Sequence, residues 1–157
     1  MGHFLVTTAL KESWPAENCE VLFLGEWCRL YSQKDSWSKN KWKVLPYHWD
    51  DRKKLYNDYK YIQKIYEKLL ILLSYQLNTI HNVDHSVRYW RILVGPWLGY
   101  FLQILFDRWS SLKQAMNSYD INNTIILDYQ SEYFISKGMD DFHEYYISDE
   151  WNHFVYG

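Results

Sequence analysis

The chain has 157 residues and a formal net charge of −2, with its Lys and Arg residues spread rather than gathered. That is enough chain for one domain with a real core, and too weak a basic footprint for a dedicated nucleic-acid binder. Nine Trp and fifteen Tyr, many beside charges, suit both a packed core and a recognition surface.

In chain order, residues 3–8 (HFLVTT) and 21–24 (VLFL) read as buried strands, joined by a loop with room for one helical turn. Only about a dozen residues separate them, marginal for a helical crossover, so their mutual direction stays open. Gly25 closes the second strand, and Glu26, Trp27, Cys28 and Arg29 follow where strand exits in α/β sheets carry ligands. Residues 32–41 are polar and read as a loop; residues 42–45 form a third short strand, ended by Pro46.

A long helix follows, capped by Asp50 or Asp51. Leu55, Tyr59, Ile62, Tyr66, Leu69, Leu73, Leu77 and Ile80 keep helical spacing opposite Lys53, Lys60, Lys64 and Lys68. Residues 81–85 (HNVDH) are the turn. Within the stretch 86–109 (SVRYWRILVGPWLGYFLQILFDRW), the run from Ile92 to Phe106 is apolar on every face apart from Gln103, yet shorter than the roughly 18–20 apolar residues a bilayer span needs. It predicts a helix surrounded by protein, with Gly95-Pro96 as a kink or as a restart carrying Pro96 in its first turn. Residues 124–127 (TIIL) read as a strand. The acidic and aromatic stretch from Gln130 on reads as short helices and loops, and stops without a terminating pattern, as a cut chain would.

The usual chemical signatures are missing. There is no GxGxxG or GxxxxGK[ST], no CxxC pair, no HExxH, no Asp-x-Asp and no GxSxG. Cys19 and Cys28 are the only cysteines, and no basic segment followed by an apolar one opens the chain; the expected setting is cytoplasmic with reduced thiols, association with the inner membrane face being compatible with it.

Four clusters remain. His48 with Asp50 and Asp51 can supply a general base, and Trp49 a flat face for a sugar or a base; a helix cap with packed aromatics explains them equally. Glu26, Trp27 and Arg29 form either a ligand-binding exit or an ordinary turn with an ion pair. Arg88, Tyr89, Trp90 and Arg91 open a helix whose dipole disfavours cations there. Binding an anionic group, or pairing with the acids of residues 50–58, would account for the arginines. His81, Asp84 and His85 suggest either capping, a metal pair, or a His85 that meets a ligand directly.

The motifs LVTTAL (residues 5–10), LGEWCRLY (24–31), PYHWDDR (46–52) and RYWRILVGPWL (88–98), running on to FDRW (106–109), resemble the N-terminal part of transferases encoded in bacterial surface-polysaccharide and O-antigen clusters. The resemblance covers essentially the whole chain. It implies a single Rossmann-like α/β domain over 1–157, the acceptor-side half of a longer two-Rossmann (GT-B-like) glycosyltransferase. It also implies a glycan or lipid-linked glycan acceptor, and a nucleotide-sugar donor held mainly by a C-terminal half. No cofactor or metal is expected in this chain. In that expectation His48, Asp50, Asp51 or His85 is the base, and Glu26, Trp27, Arg29, Trp49, Arg88, Tyr89, Trp90 and Arg91 bind substrate. The rivals are a non-catalytic glycan- or protein-binding module, and a metal-dependent phosphohydrolase built on His81, Asp84 and His85.

Overall fold

The computed structural model describes residues 2–157. Its backbone falls into two compact units, one made of the chain up to His48 together with Arg108–Gly157, the other of Trp49–Asp107.

In the first unit, β1 (His3–Val6), β2 (Glu20–Phe23), β3 (Lys41–Val44) and β4 (Ile121–Asn123) form one sheet in the order β3-β2-β1-β4, with every pairing parallel. The direction left open between the first two strands is therefore parallel, although a 3₁₀ turn (Lys11–Ser13) and loop stand where a crossover helix would. Leu5, Val6, Val21, Leu22 and Phe23 are buried, as strands covered on both faces require. The outer strand β3 exposes Lys41 and Lys43, charges that protect an open edge. The core gathers around β1 and β2, with Leu24, Cys28, Leu45 and Ala115 joining it. Residues 32–41, expected as loop, contain one short helix, α1 (Lys34–Trp37).

The second unit is helical. Asp51 caps α2 (Arg52–His81), its carboxylate accepting from Lys53 N at 2.9 Å and Lys54 N at 3.1 Å. Asn82, left-handed with φ 51°, ends it. Ser86 caps α3 (Val87–Leu93), and α4 (Gly95–Ser118) begins at once, so Gly95-Pro96 is a restart with Pro96 in the first turn. The expectation of a helix buried on every face fails. Trp90 and Leu98 are buried, whereas Ile92, Leu93 and Tyr100 are exposed. On α2 the buried seam runs through Ile62, Leu70 and Ser74, leaving Leu69 and Ile80 outside. Among the described residues, no helix is long and apolar enough to cross a membrane.

The chain then completes the sheet. The fourth strand is 121–123 and not 124–127 as expected. Ladder pairing with β1 is irregular between His3 and Phe4, and side chains take over beyond it. Thr124 Oγ1 donates to Leu5 O at 3.0 Å, and Leu127 N donates to His153 Nε2 at 2.9 Å. The acidic and aromatic stretch folds as α5 (Met139–Ile147) and α6 (Asp149–Tyr156), the latter capped by Ser148.

Candidate functional site

In a parallel sheet of this order the chain reverses direction beside β1, and ligands gather outside the carboxyl ends of the strands at that switch point. Here the exit of β1 is Thr7-Thr8-Ala9, wholly buried. It is sealed by α6: Asp149 accepts from Ala9 N at 3.2 Å, and His153 reaches Thr8 Oγ1 with Nδ1 at 3.3 Å. The backbone N–H of Leu127 donates to Nε2, so the ring proton belongs on Nδ1 and is donated to Thr8. The imidazole is 2 % exposed, and desolvation holds its pKa below the ordinary value, Asp149 acting against that. Trp14 Nε1 closes the same turn from the other side, donating to Thr8 O at 3.1 Å.

The neighbouring β2 exit keeps exposed side chains. After β2, Trp27 Nε1 donates to Thr7 O at 3.0 Å, tying the second exit to the first, while the side chain stays 37 % exposed. Gly25 packs under that indole; a Cβ there would overlap the ring. Arg29 pairs with Glu26 and lies over Trp42 at 4.2 Å and Trp37 at 5.3 Å. Glu26 itself is exposed. After β3, the chain passes Pro46 and Tyr47 to His48, which is buried. Three adjacent strand exits thus carry Thr7, Glu26–Arg29 and His48 on one edge of the sheet. Cys28 is not a nucleophile there. It is fully buried, Sγ donates to Val6 O at 3.4 Å, and burial pushes the thiol up to about 12.

The other expected residues lie in the helical unit. Asp50 is exposed, and Asp51 is spent on the helix cap. Trp49 Nε1 donates to Asp58 at 3.0 Å, and its ring stacks on Phe106. His85 and Arg88 are exposed at the far end of α2. Thirty helical residues span about 45 Å, so Asp50 and Asp51 cannot share a reaction centre with His85. His85 packs its ring against Tyr89, centroids 3.9 Å apart, and Asn78 holds its backbone through N at 3.1 Å and O at 2.9 Å. Trp90 is buried and donates Nε1 to Asn78 at 2.7 Å. Arg91 meets Glu67 with both terminal nitrogens, at 2.7 and 2.6 Å, and not the acids of residues 50–58. Their bond holds the Glu67 carboxyl below, and the Arg91 guanidinium above, its ordinary range. Among the described residues no three His, Cys, Asp or Glu side chains converge to hold a metal, which leaves the phosphohydrolase reading without a ligand set.

Thr8, Asp149 and His153 were not singled out in the sequence. The only local signal was Ser148 followed by acids and then His153, a readable helix start with Asp149 and His153 four residues apart.

A four-stranded parallel sheet with buried central strands and long helices is an α/β fold, compatible with a Rossmann-like one. A family model described as LIC12162 family transferase matches residues 3–157, and the chain belongs to that transferase family. No curated protein and no solved structure matches it.

Proposed function

We propose that this chain supplies the acceptor-side domain of a glycosyltransferase that builds bacterial surface polysaccharide, including lipopolysaccharide O-antigen, at the cytoplasmic side of the membrane. The observation that supports it most is the sheet edge of a transferase-family chain, where the β2 exit carries an exposed Trp27 and an arginine lying over Trp42 and Trp37, and the adjacent β3 exit carries His48. Flat aromatic faces beside hydrogen-bonding groups suit sugar rings. In this reading a nucleotide sugar is held by a second Rossmann-like domain of the full-length protein.

The base removes the proton from an acceptor hydroxyl, whose oxygen bonds to the anomeric carbon as the bond to the nucleotide diphosphate breaks. Asp51 is committed to its cap and His85 stands at the other end of α2, so the base assignment falls to His48 or Asp50. Trp27 would stack on the acceptor. Arg29 would orient it beside Glu26.

Full-length enzyme assayed with a panel of nucleotide sugars tests the reading. Replacing the base by Ala should lower turnover by about 10²–10⁴-fold while acceptor binding survives, and Trp27→Ala should raise KM more than it lowers kcat. Unchanged turnover in both His48→Ala and Asp50→Ala removes the base assignment. Absence of transfer from every donor removes the glycosyl reading and leaves a binding module.

A further inference from the structure

A groove of about 370 Å³ opens within the helical unit, large enough for a small ligand. Its floor is made by absence. Gly95 and Gly99 lie one turn apart on α4, and a Cβ at Gly95 would stand 2.6 Å from the Tyr66 hydroxyl. At Gly99 the nearest atom to such a Cβ is Tyr66 Cε2, at 3.9 Å, so this position is open. Helices with small residues usually close on one another; here the space stays, and polar side chains line it beside Pro96. Gln103 continues the glycine line, Gln63 and Tyr66 face it from α2, and Tyr100 stands at the rim. Gln and Tyr side chains both donate and accept hydrogen bonds.

The groove's one charged lining residue is Arg91, and its charge is already matched. Both terminal nitrogens are bonded to Glu67, and the guanidinium lies 5.7 Å from the Tyr66 ring. A phosphate or carboxylate would have to displace that two-pronged bond. A neutral ligand leaves that ion pair in place.

We propose that this groove is a binding site for a neutral, hydroxyl-rich ring, a pyranose unit, bound through the amides of Gln63 and Gln103 and the hydroxyls of Tyr66 and Tyr100 over the bare backbone of Gly99. The choice of a sugar among neutral polar ligands rests on the glycosyltransferase reading. The site itself rests on the groove.

Saturation-transfer NMR on this chain with methyl glucoside, methyl galactoside, methyl mannoside and N-acetylglucosamine tests it. Transfer to one or more of these is expected, unaffected by excess inorganic phosphate. It should vanish in Gly99→Leu, which fills the groove, and persist in Gly99→Ala, whose methyl makes ordinary contact. Gln103→Ala, an exposed change safe for folding, should weaken binding roughly three- to tenfold, the loss of one hydrogen bond. Transfer to none of the four sugars, transfer that survives in Gly99→Leu with a native circular dichroism spectrum, or displacement by phosphate would each overturn the proposal. Sugar binding lost in Gly99→Leu without glycosyl transfer by the full-length enzyme would instead sink only the enzymatic reading.

Discussion

At the scale of single residues, burial decides which titratable groups act. His153 is neutral by construction: one nitrogen accepts a backbone N–H and the other donates to Thr8. Protonating Nε2 would set two N–H groups against each other. Its folded pKa lies below the unfolded value, so below about pH 6.5 the unfolded chain takes up the proton first and stability falls with pH. Thermal unfolding followed between pH 7.5 and 5 should therefore show a midpoint that drops on the acid side. His153→Ala should cost about 1–3 kcal/mol at neutral pH, from the stranded Leu127 N–H, and should flatten that drop. Cys28 gives a second check. In native protein a thiol reagent should label Cys19 quickly and Cys28 only after denaturation, because Cys28 is buried and its thiolate is disfavoured.

At the scale of elements, local signals were legible wherever the determining contacts are local. The apolar runs of β1 and β2 could be read, and the cap and the proline break were narrowed to two choices each, Asp50 or Asp51 and kink or restart, because a strand's burial, a cap and a proline act within a few residues. Asp51→Ala should cost about 0.5–2 kcal/mol, measurable by denaturant unfolding. The strand at 124–127 was misplaced because TIIL has strand composition, whereas INN pairs with β1 only because the sheet offers an edge. Burial around α3 and α4 was overestimated for a related reason. An apolar helix says nothing of how many neighbours it has, and Ile92 and Leu93 face outward. The candidate site was half legible: Glu26, Trp27 and Arg29 sit at a strand exit as their position implied, but the sealing of the β1 exit was invisible. Thr8 and His153 are separated by 145 residues, and no spacing rule spans that gap. Gly25 belongs to the legible half. Gly25→Ala should loosen the Trp27 loop, at about 1–3 kcal/mol for a forced side-chain shift, and should change the intrinsic fluorescence of the loop's indole.

At the scale of the whole chain, the sheet unit is assembled from two stretches that flank the helical one, His48 ending the first and Arg108 opening the second. Its integrity depends on contacts of long sequence separation, β1 with β4 and Thr8 with His153. Removing residues 149–157 should therefore abolish protection of the β1 amides in hydrogen exchange, and not only of β4. Retained protection of Leu5 and Val6 would show that β2 alone suffices to hold β1. Folding of this unit should also be slow for its size, because loop closure over more than a hundred residues precedes its last pairing.

That separation has a consequence during synthesis. A ribosome delivers β1 first and His153 some 150 residues later, at about 5–20 residues per second, so one edge of β1 and the Thr8 hydroxyl wait for several seconds without their partners. An apolar strand with an unpaired edge is an invitation to pair with another nascent chain. Expression yield should therefore depend on how quickly the later segment emerges: slow codons placed between Arg108 and Ile121 should push the product toward aggregates, and co-expressed holdase chaperones should recover it.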